Sequence, residues 1–298
     1  MSGRVTVVIP TYNRAALLPR AIASALAQTV LARCEIVVVD DGSTDETPEV
    51  ARRFASQIRY LRQSNRGLGA ARNAAIRMYP HEFVALLDDD DEWLPDKIER
   101  QLAALQHWPA AVLVSGRVVD VHPSGRQRVR PLPAIPLDRP ADLASHLFES
   151  NCLPPSAVVL RTRPLQQVGL FHERLRGVED HHAWMRLACR GPGIVLSATL
   201  ARYAVATPGA LSSATVHMLA RQLQARYLAR PALRRRPDCR AAWRRGLLRS
   251  LTDLRDASYR RGDFAAAARH GLHALLHDPL GRSRWEWRRT AEALLRAL

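Results

Sequence analysis

The sequence predicts an α/β protein: a sheet with helices on both faces, followed by a basic, all-α C-terminal appendage. Three observations predict it. The first hundred residues alternate short valine-rich runs with stretches of helical spacing. Polar or acidic clusters stand where those runs end. From about residue 213 the pattern is helical to the end. The strand–helix alternation favours a parallel sheet, because parallel strands need a crossover and a helix supplies it.

Each element has its own signal. Residues 4–10 are a continuous apolar run, as expected of a parallel strand buried on both faces. Residues 15–28 place Leu18, Ile22, Ala25 and Leu26 at helical spacing. Residues 35–39 form a second buried strand, ended by Asp40-Asp41-Gly42-Ser43. Residues 44–48 read as a helix start, with oxygen-bearing caps and Pro48 in the first turn. A short third strand at 58–61 and a helix at 69–78 follow. The fourth strand, 83–87, is closed by Asp88-Asp89-Asp90-Asp91, and 95–106 is the next helix.

The middle of the chain is less regular. Residues 111–121 look like a strand pair, and His122-Pro123-Ser124-Gly125 is a turn leading into 126–130. Four prolines between 131 and 140 exclude a regular element. Residues 156–161 read as a strand and 180–190 as a helix. Residues 262–279, closed by Asp278-Pro279, resemble one helical hairpin of a tetratricopeptide-like unit. One unit is not an array. The expected division is residues 1–210 for the α/β domain and 211–298 for a helical region packed on it.

Composition narrows the function classes. At 298 residues and 47% hydrophobic, the chain can bury a substantial core. No run of about 18 apolar residues exists, so no transmembrane helix is expected. The N-terminus runs straight into a strand pattern without the basic and apolar regions of a secretory signal. Cys34, Cys152, Cys189 and Cys239 are scattered, which suits reduced thiols in a cytoplasm and not a disulfide framework.

The net charge is +16, and Lys97 is the only lysine, so arginine carries almost all of it. Residues 220–298 hold 19 Arg against 7 Asp and Glu, an excess of 12. Such a segment suits an anionic membrane surface or another polyanion, or is simply a set of solvated helix faces. Nucleic acid is not an expected partner, since aromatic residues are only 6% and no stacking or groove-reading motif is present.

In open α/β sheets, ligands bind at the carboxyl ends of strands. Three polar clusters fall at such ends: Pro10-Thr11-Tyr12-Asn13-Arg14, Asp40-Asp41-Gly42-Ser43 and Asp88-Asp89-Asp90-Asp91. Four successive carboxylates repel one another unless a cation neutralises some of them. Mn²⁺ or Mg²⁺ suits oxygen ligands and needs only one or two carboxylates when phosphate completes the shell. On extended backbone, 88 and 90 would face one way and 89 and 91 the other. The plain alternative is a solvated acidic loop capping the next helix. Arg66-Gly67-Leu68-Gly69 allows close backbone approach at a helix start, followed by Arg72-Asn73, but it is neither a dinucleotide fingerprint nor a P-loop.

The segments VTVVIPTYNR, EIVVVDDGSTDET, NRGLGAARNAAI and ALLDDDDEWLPDKIERQ, in this order and spacing, resemble the inverting family 2 glycosyltransferases. NCLPPSAVVLRTRPLQQVGLFHERLRG and VEDHHAWMRLACRG extend the resemblance to about residue 205. It implies a GT-A fold, the Rossmann-like fold of nucleotide-diphospho-sugar transferases. It further implies a nucleotide-sugar donor, a saccharide or lipid-linked acceptor, and a role in bacterial cell-surface polysaccharide or glycolipid synthesis. Pro10, Tyr12 and Asp41, with Asp40 adjacent, match positions lining the nucleotide. Arg72 matches a residue near that pocket. Asp88 and Asp90 match the ends of the family's Asp-x-Asp metal motif, with Asp89 replacing the usual small residue and set on the donor side. Asp180 matches the catalytic base. Glu179 and His182 fall on the acceptor side, His182 where the family often has an acid.

The residue types suit that chemistry. A cation stabilises charge building on a departing diphosphate. A base takes the proton of the acceptor hydroxyl as it attacks from the opposite face. Two other readings use the same sequence. A metal-dependent nucleotidyltransferase would release pyrophosphate, but an obvious glycine- and lysine-rich triphosphate loop is missing near the start. A non-catalytic docking protein would use the basic C-terminal helices alone. The expected location is the cytoplasm, with peripheral contact on the inner face of the membrane through those helices.

Overall fold

The computed structural model describes residues 3–205, 216–277 and 284–297. The chain begins β1 (Val5–Thr11), α1 (Leu18–Leu26), β2 (Cys34–Asp40), α2 (Thr47–Arg52), β3 (Arg59–Arg62), α3 (Leu68–Met78) and β4 (Phe83–Leu86). It continues with β5 (Glu92–Trp93), α4 (Lys97–His107), β6 (Leu113–Val121), β7 (Gln127–Val129), β8 (Pro140–Ala141) and α5 (Ala144–Glu149). Then come β9 (Val159–Arg161), α6 (Thr162–Gln167), α7 (Glu179–Leu187) and β10 (Gly193–Ala204). The helices α8 (Val216–Ala229), α9 (Arg240–Arg260), α10 (Phe264–His277) and α11 (Arg284–Ala297) follow.

The strand order is β3-β2-β1-β4-β9-β6-β10-β5, with β7 beside β6 and β8 beside β10. The first four strands are parallel, as their helical crossovers require. Beyond β4, outside the stretch whose alternation argued for parallel strands, the sheet becomes mixed. β9 runs antiparallel to both β4 and β6, while β6 and β10 are parallel. Residues 111–121 are not a strand pair either. They hold one strand, β6, whose hairpin partner is β7 across the 122–125 turn. The expected strand at 156–161 starts late, because Pro155–Ala157 forms a 3-10 turn before β9.

Alternation along the parallel strands sends side chains to opposite faces. Val7, Ile9, Val38 and Ala85 pack with Leu18 and Ile22 of α1 and Ile98 and Leu102 of α4. Val8, Val37, Val39, Val84 and Leu86 pack with Ala71 and Ile76 of α3 and Trp184 of α7. The first core covers one face and the second the other, so the carboxyl ends of β1, β2 and β4 are left as an open edge between two layers of helix.

The second core runs on into the C-terminal helices. Ala225 and Ala229 of α8 and Trp243, Leu247 and Leu251 of α9 join Leu147 and Phe148 of α5 in it. Arg226 of α8 is buried and donates to the carbonyls of Phe148 and Glu149 and, through Nε, to Ser250 Oγ at 2.9 Å. A cation there satisfies carbonyls that the end of α5 leaves without helical partners. The hairpin expected over 262–279 is, in its described part, the single helix α10, which instead pairs with α9 across a turn at Gly262, whose φ of 76° suits glycine. Asp263 caps α10 by accepting from the Ala266 amide at 2.9 Å. The expected close at Asp278-Pro279 lies outside the described residues. Among the described residues, no helix is long and apolar enough to cross a membrane.

Candidate active site

A cavity of about 350 Å³ opens at the carboxyl ends of β1, β2 and β4. Pro10, Tyr12, Arg14, Asp41, Arg72, Asp88, Asp89, Asp90, Glu179 and Asp180 all line it. Most of the residues singled out in the sequence therefore converge, although they come from strand ends and a helix start far apart in the chain.

Asp40 and Asp41 part company at the end of β2. Asp40 is fully buried and turned away from the cavity. It accepts from the Ser43 amide at 2.7 Å and from the Tyr60 hydroxyl at 2.6 Å. Its oxygens hold the 40–43 turn, and Asp40, expected on the donor side, is not among the residues lining the cavity. Asp41 lines the cavity, and its carboxylate is committed to the loop before α3. Oδ1 accepts from Gln63 Nε2 at 2.7 Å and the Arg66 amide at 2.9 Å, and Oδ2 from the Gly67 amide at 2.6 Å. Gly67 has a φ of 90° and lets that loop enter α3 directly beneath the cavity.

The acidic run does not continue the strand. The Asp91 amide donates to the Asp88 carbonyl at 3.1 Å, so 88–91 close a turn and the side chains fan out instead of alternating. Asp88, Asp89 and Asp90 face the cavity. Asp91 points inward, 1% exposed, and accepts from Ser156 Oγ and from the Ala204 amide at 2.8 Å. Ser156 Oγ in turn accepts from the Asp88 amide at 3.0 Å. Asp91 and Ser156 thus tie the acid turn to the Pro155–Ala157 turn and to the end of β10, where Tyr203 lines the cavity.

Burial dominates the ionisation of these acids. It pushes Asp88 up despite the opposing charge of Arg72, Asp89 up to about 7 despite Arg14, and Asp91 far up with help from Asp88 and Asp90. Two arginines offset part of the negative charge. Arg14 Nη1 donates to Asp90 Oδ2 at 2.9 Å and lies 3.9 Å from Asp89. Arg72, 1% exposed, bridges Asp88 at 2.8 Å and Glu179 at 2.6 Å. Arg72 lines the cavity, as the resemblance implies, yet both its ion pairs are to protein carboxylates.

Helix α7 begins at the far wall. Glu179 is held by Arg72 and by the Gly177 amide at 2.7 Å. Asp180 follows, and its Oδ2 accepts from Asn151 Nδ2 at 3.0 Å. Burial, reinforced by the neighbouring Glu179 charge, raises Asp180 to about 7. Asp180 also lines a second cavity of about 410 Å³, bounded by Pro131, Pro133, Asn151, Cys152, Tyr203, Met218 and Gln222. His182 lies outside both cavities, buried, with its ring edge-on to His172 at 5.5 Å. His182, expected on the acceptor side, thus stands in the packing beside His172 and not on a cavity wall. Burial lowers it to about 3, so it stays neutral.

Arg14, Ser156, Asn151 and Tyr203 carry the geometry but were not assigned roles from the sequence. Only Arg14 had a usable signal, at the carboxyl end of the first expected strand; the strand that carries Tyr203, β10, was not among the expected elements. A divalent cation fits the donor set, because hard carboxylate oxygens with uncompensated charge face the cavity. Among the described residues no group of three or more His, Cys, Asp or Glu is arranged to hold a metal. The fit is therefore to an ion that takes one or two carboxylates and completes its shell from a ligand.

Residues 6–168 match the family described as glycosyl transferase family 2. That is more than half of the chain, which therefore belongs to this family. An uncharacterised glycosyltransferase of Rickettsia prowazekii (strain Madrid E) is 31% identical over 188 residues, 62% of this chain and 58% of that protein. The amylovoran biosynthesis glycosyltransferase AmsE of Erwinia amylovora is 30% identical over 170 residues, 56% of this chain and 62% of that protein. The chain thus spans less than two thirds of these curated relatives. Among solved structures, S. aureus TarS 1-349 in complex with UDP superposes with a TM-score of 0.71 at 19% identity, covering 97% of this chain and 88% of that one. The mannosyltransferase PcManGT from Pyrobaculum calidifontis, in complex with GDP-Man and Mn²⁺, gives 0.63 at 21% identity, covering 100% and 86%. These likenesses show the fold, a GT-A α/β sheet with a C-terminal helical region.

Proposed function

We propose that this chain is an inverting glycosyltransferase that moves a sugar from a nucleotide diphosphate sugar to an acceptor hydroxyl. The observation that carries it is Asp180, a buried carboxylate on the wall shared by two adjoining cavities. The first cavity takes the donor, with Pro10, Tyr12 and Asp41 at the nucleotide end. Asp88 and Asp90 would hold a divalent cation there, Mn²⁺ or Mg²⁺, which would supply Lewis-acid stabilisation to the departing diphosphate. The second cavity takes the acceptor.

Asp180 accepts the acceptor's proton as the new bond forms. One base suffices because a single displacement needs no covalent intermediate, and the anomeric configuration inverts. Asn151 and the buried Arg72–Glu179 pair fix where that carboxylate stands. The family, and the biosynthetic role named for AmsE, support a place in surface polysaccharide or glycolipid synthesis. The UDP and GDP-Man of the structural neighbours support a nucleotide-sugar donor, and the Mn²⁺ of one of them supports the cation. We place the 211–298 region, with its excess of arginine, against the anionic inner face of a membrane that presents a lipid-linked acceptor.

Asp180→Asn tests the assignment. Loss of a positioned base costs about 10²–10⁴ in kcat, and Mn²⁺-dependent binding of UDP or GDP should persist. Turnover at the wild-type rate in that variant would remove Asp180 from the chemistry. NMR of the product anomer reports inversion directly.

A further inference from the structure

Three carboxylates of the acid turn, Asp88, Asp89 and Asp90, face the donor cavity, and Arg14 and Arg72 answer them in different ways. Arg72 is locked. It is 1% exposed, and its two ion pairs, to Asp88 at 2.8 Å and Glu179 at 2.6 Å, pull from opposite sides. Arg14 is fixed at its backbone, and its side chain is held at one end of the guanidinium. Its amide donates to Thr47 Oγ1 at 3.3 Å, and the Ala15 amide to Asp45 Oδ2 at 3.0 Å. Asn13 before it, at a φ of 53°, is clamped by Ser43 Oγ at 2.9 Å and by the Thr44 amide at 2.8 Å. The stem is therefore fixed to the 43–47 segment while the guanidinium reaches across the cavity edge to Asp90 at 2.9 Å and toward Asp89 at 3.9 Å.

That guanidinium occupies Oδ2 of Asp90, one of the oxygens through which Asp90 would hold a cation. A dication and an arginine cannot share one carboxylate edge without strong repulsion in a partly desolvated site. The arginine must leave Asp90 for an ion to enter, and it needs a new anionic partner when it does. Arg14 stands on the cavity wall, where the diphosphate of a donor bound in the same cavity can serve as that partner.

We propose that Arg14 is an exchanging counter-ion: it neutralises Asp90 in the empty enzyme and turns to the donor diphosphate when the cation takes Asp90. This rests on the donor-cavity reading given above. It makes cation and nucleotide binding mutually dependent, and by linkage each strengthens the other by the same factor. The enzyme then binds free cation poorly and acquires it together with the nucleotide.

Mn²⁺ binding to the full chain, followed by electron paramagnetic resonance of the free ion, tests the proposal. Without nucleotide, Arg14→Ala should bind Mn²⁺ about ten-fold more tightly than wild type, within the usual range of such couplings. With UDP or GDP present the order should reverse, the variant holding the Mn²⁺–nucleotide pair several-fold more weakly. Arg14→Gln, which keeps the stem and loses the charge, should behave alike and serves if the alanine variant folds poorly. Unchanged or weaker Mn²⁺ affinity without nucleotide in both variants would overturn the exchange. A wild-type chain that binds no Mn²⁺ even with UDP or GDP overturns the cation reading and the exchange together.

Discussion

The proposed base, Asp180, has a physical setting that suits proton uptake near neutral pH. Burial and the Glu179 charge raise it to about 7, while Arg72 and the Asn151 amide hold it from rising further. The ionised form is the one that accepts a proton, so kcat/KM should fall as pH drops through about 7 and reach a plateau above it. Asn151 Nδ2 donates to the charged form and therefore favours it. Replacing Asn151 by Leu should move the acid limb of the pH–rate profile to higher pH. A limb that stays in place, or moves to lower pH, would show that Asn151 does not tune this group. Asp41 and Asp88 to Asp90 were legible in the sequence because they stand at strand ends, whereas Asp180, at the start of a helix, was marked only by the family resemblance. The arginine pairings were not, since Arg14 meets Asp90 across 76 residues and Arg72 meets Glu179 across 107. Local pattern carries no trace of contacts that only the fold brings together.

Among the elements, the parallel strands were plain because burial on both faces leaves them apolar without interruption. The pairing sense beyond β4 was not. β5 and β8 have two residues each and β9 three, too few to show a period. The acid turn shows the same limit: four aspartates after a strand imply charge, but the turn that sends Asp91 inward depends on Ser156 and Ala204 from other elements. The docking of α9 on α5 rests on a comparable detail. A Cβ on Gly246 would run into the Phe148 carbonyl oxygen and the Arg226 guanidinium. Gly246→Ala should therefore cost about 1–3 kcal/mol by overpacking, read as a lower Tm. At an exposed helical site the same change stabilises by up to about 1 kcal/mol. A raised Tm would mean that α9 does not pack on α5 as closely as the structure places it.

For the whole molecule, charge is unevenly laid out. The α/β sheet supplies the cavity acids, and the 220–298 segment supplies most of the positive excess. On α9, Trp243, Leu247, Leu251 and Leu254 face inward, while Arg240, Arg244, Arg245 and Arg249 are exposed. Arg245 and Arg249 each lie near Glu149, at 3.1 and 3.4 Å, so part of their charge is answered within the chain. Exposed pairs of this kind contribute little to stability. Arg240 and Arg244 therefore offer the clearer test of surface attraction. Arginine near an anionic bilayer contributes about 1 kcal/mol each, so Arg240→Ala with Arg244→Ala should weaken binding to phosphatidylglycerol vesicles about 30-fold. The attraction should also fade with salt, because the screening length shrinks to about 8 Å at physiological ionic strength. Vesicle flotation of the full chain at low and high salt, with phosphatidylcholine vesicles as the neutral control, separates the outcomes. Equal flotation with both lipids would assign binding to apolar contact. No flotation with either would leave the arginines as a solvated face, and the lipid-linked acceptor would lose its physical support.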